Sequence, residues 1–300
     1  MGITNRSYQH PHDFARLAHF LSLLRPDALH TYVLHPGDLT WQMFHMLAEY
    51  PPASLVQLWE DIRGDLVGFV LLFRPFGGFT VQLHSTHRGG ALESEMIEWA
   101  EQQLSTKHHT SSLVHSNDTS RVNILTERGY RAAGDWLYLD QVLTGRRPDL
   151  QLPPGFVVRA LNDEQEADQR AEVLATAFEA PPLIERYRQL MHALSYNRDL
   201  DLVAVAPDGQ FAAFAMCWVD QESRVGQFEP VGTAPAFRRN GLARAVLEEG
   251  LCRMQVYGAE CAVVIVEAAE HAACALYESV GFEARCTLRW YTRTNTATVR

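Results

Sequence analysis

Hydrophobic positions along the chain recur with two periods, and residues 151–300 show both most clearly. Leu242, Val246, Leu247, Leu251 and Met254 fall at helical spacing up to Gly258, which predicts an amphipathic helix closed by that glycine. A β-rich run over 261–266 follows, then a short helical stretch over 272–280 ended by Gly281-Phe282. Upstream, 156–159 reads as a strand, and 164–178 as a helix with Ala167, Ala171, Leu174 and Phe178 on one face. Pro181-Pro182 interrupts before a second helix over 184–194, and strands over 202–206 and 211–219 meet at a Pro207-Asp208-Gly209 turn.

The first half reads similarly. Helices are expected over 13–24 and 35–50, strands over 55–58, 66–73 and 79–83, and a helix from the Thr86–Ala91 turn to about Leu104. Residues 105–117 read as a polar loop running into a strand. Residues 144–155 have the Pro, Gly and charge content of a linker. The run Ile124–Tyr130 corresponds to Leu276–Phe282 at an offset of 152, which points to an internal duplication. Around the preceding turn the register is ambiguous. Matching glycines keeps 152, whereas matching Leu92, Met96 and Ile97 to Leu242, Val246 and Leu247 gives 150.

The turn between Thr233 and Leu242 is the chemically informative feature. A strand leads into a glycine-bearing loop that opens a helix, and the first turn of a helix offers unpartnered backbone N–H groups at the positive end of its dipole. Arg238, Arg239 and Arg244 add positive charge, and Gly241 lets a phosphate approach the backbone without meeting a Cβ. A plain structural turn is the competing reading of such a glycine. The residues downstream decide between them.

Thr233-Ala234-Pro235-Ala236-Phe237-Arg238-Arg239-Asn240-Gly241-Leu242-Ala243, followed by a helix, a strand, Ala273-Cys274-Ala275-Leu276-Tyr277 and Gly281-Phe282, resembles the GNAT acetyltransferase superfamily. The family motif is V-x-P-x-x-(Q/R)-x-x-G-x-(G/A), then A-x-x-L-Y-x-x-x-G-F; Glu270 departs from it, standing where the family has Asn. The resemblance implies two tandem α/β folds, each a mixed, mostly antiparallel sheet flanked by helices with splayed strands forming the acyl-CoA cleft. It implies acetyl-CoA as co-substrate, held by Arg238, Arg239, Asn240, Gly241, Leu242, Ala243 and Arg244, with the pantetheine paired along Val231, Gly232 and Thr233. It also implies Tyr277 as general acid toward the departing sulfur; a packing role, with its hydroxyl on a backbone carbonyl, is the alternative.

Transfer to an amine further needs a base and an oxyanion donor. The amide of Val231 is the candidate for polarising the acetyl carbonyl. Pro230 gives no N–H to a sheet ladder, so a bulge is expected there. Glu229, two residues before Val231, is the candidate base; a solvated strand carboxylate or a partner for an arginine is the alternative. Cys274 or Cys286 as a nucleophile would be a competing chemistry, but no histidine has an evident positional relation to either.

Composition trims the remaining classes. With 47% hydrophobic and 21% charged residues in 300, two ordinary globular domains are expected, divided as 1–145 and 151–300. A net charge of −10 argues against nucleic acid and is compatible with a cationic amine acceptor. The longest apolar run, 66–73, is too short to span a bilayer, which takes ~20 residues. No signal segment opens the chain, so a cytoplasmic protein is expected, monomeric or homodimeric. The five cysteines have no paired spacing and read as reduced thiols. No metal is expected, the His108, His109 and His115 cluster included.

The reading is an acetyl-CoA-dependent N-acetyltransferase acting directly on a primary amine of a small molecule or peptide. A non-catalytic acyl-CoA-binding or partner-binding module is the alternative. In the first half Leu125 stands where Tyr277 stands, and residues 75–92 contain no Asp or Glu. That half is expected to be degenerate and non-catalytic.

Overall fold

The computed structural model describes residues 2–9, 12–25, 31–145 and 151–295; residues 146–150 of the expected linker lie outside them. The first half runs β1 (Thr4–Ser7), α1 (His12–Leu24), α2 (Pro36–Trp41), α3 (Pro52–Leu55), β2 (Val56–Glu60), β3 (Leu66–Phe73), β4 (Gly78–Leu83), α4 (Ala91–Gln103), β5 (His109–His115), α5 (Thr119–Glu127) and β6 (Arg131–Val142). The second half repeats the order without a counterpart of α3: β7 (Val157–Ala160), α6 (Ala167–Ala177), α7 (Ile184–Met191), β8 (Asp201–Val205), β9 (Phe211–Asp220), β10 (Val225–Thr233), α8 (Leu242–Val256), β11 (Cys261–Glu267), α9 (His271–Ser279) and β12 (Glu283–Thr294).

The twelve strands of the described residues form one sheet in the order β1-β2-β3-β4-β5-β12-β6-β11-β10-β9-β8-β7. The halves exchange their last strands: β6 pairs antiparallel with β11, and β12 lies between β5 and β6. Neither half's sheet is complete without a strand of the other. Ion pairs along β12 reinforce the exchange, Arg289 to Asp135 at 2.5 Å, Arg285 to Asp140 at 2.6 Å and Arg293 to Glu101 at 2.8 Å.

Helices cover both faces, so central strands are apolar on both sides instead of alternating with polar residues. On β9, Ala213, Ala215 and Cys217 join the core under α8 and α9, whereas Phe214, Met216 and Trp218 face α6 and α7. The latter core holds a buried ion pair. Arg170 Nε donates to Asp201 at 2.9 Å, the guanidinium lies 4.1 Å from the Phe214 ring, and Tyr187 and Tyr196 hydroxyls donate to the same carboxylate.

The helix expected over 35–50 is shorter and irregular. α2 passes at Gln42–Met46 into a π-helical turn that ends at Leu47. The turn is part of the first half, yet Trp41 packs in the core of α6 and α7. Close approach is possible because of Gly37, where a Cβ would stand 2.2 Å from Trp218 Cγ on β9.

Candidate active site

Strand β10 builds the site. It pairs in parallel with β11 only from Val225 to Gln227, and beyond that the two strands part. Against β9 it is continuous apart from an irregularity between Phe228 and Val231, where the Glu229-Pro230 peptide is cis and the Trp218 indole donates to the Glu229 carbonyl at 2.7 Å. Proline removes a ladder donor, which suits it to this break. Just past the strand, Ala234 N donates to Ala212 O at 2.9 Å. Antiparallel strands alternate the direction of their amides, so Gly232 turns to β9 while Val231 and Thr233 turn to the open side facing the splay.

Past Thr233 the chain makes a single 3₁₀ turn at Pro235–Phe237, then Arg239 and Gly241 both adopt left-handed backbone, φ 65° and 75°, before α8 begins at Leu242. Gly241 caps α8 without a side chain. The expected anion-binding residues fall into distinct roles. Arg238 braces the loop, reaching Thr233 O at 3.3 Å and Ala177 O at 3.2 Å. Asn240 donates to Phe237 O at 3.1 Å. Arg239 and Arg244 are exposed beside Gly241, whereas Leu242 is buried and Ala243 half-buried. First-turn amides have no intrahelical partner, and together with two left-handed residues and flanking guanidiniums they fit a pyrophosphate.

Tyr277 projects from α9 and is 8% exposed, its ring edge-on to Phe282 at 5.8 Å. Among the described residues no hydrogen bond engages its hydroxyl, so the alternative of a hydroxyl tied to a backbone carbonyl is not realised. Burial, with Glu229 adding to it, raises the phenol pKa well above its ordinary value, so the group is a protonated phenol at neutral pH. Glu229 has its own pKa pushed up to about 8, first by burial and then by Asp38. Its side chain is half-buried because it borders two adjoining cavities.

The cavity on the helix side, about 550 Å³, lies between α6, the loop before α7 and the π turn, with Trp41, Leu174, Phe178 and Pro230 among its walls. That on the sheet side, about 540 Å³, lies over the central strands, lined by Trp136, Trp290, Ile265 and Gln227. Met46, Phe76 and Glu229 border both.

Asp38, on α2, lines the sheet-side cavity and was not foreseen from the sequence. Its carboxylate accepts from the Gln227 carboxamide and from His35 N, the latter at 3.2 Å, and burial pushes its pKa up to about 6. His35 completes a capping box with it and reaches Val225 O at 3.1 Å. The His35-x-x-Asp38 spacing is readable as a helix cap, but its docking on β10 is a tertiary fact.

The first half has the same scaffold without the same groups. Its 3₁₀ turn at Ser85–His87 and left-handed Gly89 match Pro235–Phe237 and Arg239 at an offset of 150, whereas α5 and α9 match at 152. The change in register is absorbed by α8, which has 15 residues against 13 in α4. At these offsets Phe79 replaces Glu229 and Leu125 replaces Tyr277. The helix N-terminus is filled: Glu93, fully buried, accepts from Gly89 N at 2.6 Å and from Arg121 Nε at 2.5 Å.

Cys274 donates to the Glu267 carbonyl at 3.7 Å and burial raises its thiol pKa, which leaves it a packing residue. Among the described residues no group of three His, Cys, Asp or Glu is arranged for a metal, and no helix is long and apolar enough to cross a membrane. His115 is buried, its Nδ1 accepting from Asn117 N at 3.0 Å.

Known proteins resemble the chain in sequence and in fold. Residues 162–282 match the model of the acetyltransferase (GNAT) family. Mycothiol acetyltransferase of Salinispora tropica is 27% identical over 192 residues, 60% of each chain, so the match spans three-fifths of that relative's length. The Streptomyces coelicolor protein of the same name is 28% identical over 233 residues, 73% of each. Among solved structures, a GCN5-related N-acetyltransferase from Sphaerobacter thermophilus superposes with a TM-score of 0.69 at 18% identity, covering 99% of this chain and 97% of its own. A tandem GNAT protein of the clavulanic acid pathway gives 0.68 at 12%, covering 99% and 100%.

Proposed function

We propose that this chain, whose residues 162–282 match the acetyltransferase (GNAT) family model and whose fold is that of a solved tandem GNAT protein, is an acetyl-CoA-dependent N-acetyltransferase whose chemistry resides in residues 151–300. Residues 1–145 are its degenerate, non-catalytic counterpart. One observation carries the reading: a carboxylate with a raised pKa and a protonated phenol, Glu229 and Tyr277, flank the stretch where β10 leaves β11 with its amides unpaired.

Acetyl-CoA supplies the acyl group as a thioester. Its pyrophosphate is held by the first-turn amides of α8 around Gly241 with Arg239 and Arg244, and Arg238 keeps the loop in shape. Val231 and Thr233, on either side of Gly232, offer the pantetheine an edge to pair with, as an added strand would. Glu229 takes a proton from the acceptor ammonium and leaves a neutral amine able to attack. The Val231 amide donates to the carbonyl oxygen as negative charge builds on it. As the C–N bond forms and the C–S bond breaks, Tyr277 gives its proton to the departing sulfur; of the two protons that the ammonium loses in becoming an amide, one passes through Glu229 to solvent and the other restores the Tyr277 phenol, with direct transfer in a ternary complex.

The acceptor is a primary amine of a small molecule or peptide. The test is thiol release from acetyl-CoA by the full-length protein with a panel of amines. Amine-dependent release that falls in Glu229→Gln and Tyr277→Phe supports the reading. Tight acetyl-CoA binding with no transfer to any amine would instead support a non-catalytic acyl-CoA-binding module.

A further inference from the structure

The π-helical turn of the first half carries polar atoms with no hydrogen-bond partner among the described residues. His45 is 5% exposed, yet neither ring nitrogen has a hydrogen-bond partner among the described residues, and Gln42 Oε1 is buried in the same condition. Buried polar groups are almost always paired, so each exception calls for a reason. π turns are found mostly where a site needs side chains re-aimed.

Packing fixes the imidazole rather than leaving it adrift. It stacks on Trp41 at 4.0 Å and 11° and meets the Tyr187 ring edge-on at 6.1 Å. Burial, with Arg170 and Arg186 nearby, pulls its pKa down to about 4. The ring is therefore neutral at physiological pH, with one donor and one acceptor nitrogen. It borders the helix-side cavity, while Gln42 borders the sheet-side cavity with Asp38 and Glu229.

The two cavities thus have different polar endowments within mainly apolar walls. Asp38, Glu229 and Gln42 border the sheet-side cavity, three side chains able to accept the three protons that an ammonium donates. In the helix-side cavity, Glu229 aside, the polar side chain without a hydrogen-bond partner among the described residues is His45, its ring nitrogens closed off from solvent. Glu49, the other carboxylate there, is already paired with Arg186 at 3.0 Å. A polyhydroxylated amine would bury hydroxyl groups against Leu174, Phe178 and Pro230 without partners, and a polyamine would bring a second ammonium where the remaining carboxylate, Glu49, is already paired with Arg186.

We propose that the double cavity selects a primary amine on an apolar, aromatic body that carries one neutral amide or hydroxyl group, with the ammonium held by Asp38, Glu229 and Gln42 and the neutral group read by His45. The proposal rests on the acetyl-transfer reading only for the ammonium's role as nucleophile. The first half would then be retained because it supplies three of these four recognition residues.

Trp41, Trp136 and Trp290 line the cavities, so occupancy is read by intrinsic fluorescence on the full-length protein. The probes are phenylalaninamide, phenethylamine, glucosamine and spermidine. Phenylalaninamide is expected to bind at least tenfold more tightly than glucosamine or spermidine. His45→Phe keeps the stacking on Trp41 and is expected to weaken phenylalaninamide about tenfold while leaving phenethylamine unchanged. Glucosamine or spermidine binding as tightly as phenylalaninamide in the wild-type protein overturns the proposal without recourse to any variant, as does an unchanged phenylalaninamide affinity in His45→Phe. Parallel acetyl-CoA assays separate the two readings. Phenylalaninamide bound but never acetylated sinks acetyl transfer and leaves the selectivity standing; preferential acetylation of glucosamine does the reverse.

Discussion

Gly37 of the first half lies against the indole of Trp218 on the second, so closely that a Cβ would stand 2.2 Å from Cγ. Atoms cannot share that space, and Trp218 is itself held by its bond to the Glu229 carbonyl. The contact therefore sets how near α2, and with it Asp38, comes to β10.

Gly37→Ala should lower stability by about 1–3 kcal/mol, the usual cost of overpacking, and lower acetyl transfer further than the stability loss accounts for, because Asp38 and the Trp218–Glu229 contact move together. Urea denaturation and steady-state assays at a temperature where the variant is fully folded check this. A variant as stable and active as the wild type would show that α2 docks loosely.

The raised carboxylates make stability pH-dependent in a defined sense. Glu229 has an ordinary value of 4.5 and is pushed up to about 8, so the folded state holds its proton more tightly than the unfolded chain does. Its stabilising contribution is complete below pH 4.5 and is lost as pH rises toward 8; Asp38 acts likewise between 3.8 and about 6. Between pH 6 and 9 the wild-type melting temperature should fall more than that of Glu229→Gln, as thermal scans would read. In kcat/KM the acid limb should lie near pH 8 and move to lower pH in Asp38→Asn, since removing the neighbouring charge eases ionisation of Glu229.

Tyr277→Phe should lower kcat by ~10²-fold, the order that general acid catalysis contributes, with acetyl-CoA affinity and melting temperature nearly unchanged. The stability readout separates chemistry from packing: the hydroxyl has no protein partner among the described residues, so its removal costs the fold little. An unchanged kcat would reduce the residue to its contact with Phe282.

How much of this was readable in advance depended on whether a feature is local. The strand at Leu66–Phe73 and the helix of α8 follow from composition and period, and Tyr277 from a motif of closely spaced residues. The exchange of β6 and β12 does not, because a strand's own sequence says that it pairs and not with which neighbour. Asp38, Gln42 and His45 were missed for a related reason. Their surroundings arise from a π turn and from the docking of one half on the other, and an unbroken helical pattern over 35–50 conceals both.

Acetyl-CoA should bind with a stoichiometry of one per chain, although the fold is duplicated. In the first half the Glu93 carboxylate already occupies the amide of Gly89 at the start of α4 and is paired with Arg121, both side chains buried. A pyrophosphate arriving there would meet a like charge and would have to release the arginine, and breaking a buried pair costs about 3–5 kcal/mol. At α8 the matching position is Ala243, and among the described residues, chain neighbours aside, only Gln151 O lies within 4 Å of a Cβ on Gly241, at 3.7 Å. Gly241→Glu should therefore abolish binding altogether, combining strain at φ 75° with repulsion of the phosphates, while Glu93 variants leave the single site intact. Calorimetric titration of the full-length protein reads both. Two sites in the wild type, or one remaining in Gly241→Glu, would put an acyl-CoA site in the first half and reopen where the chemistry lies.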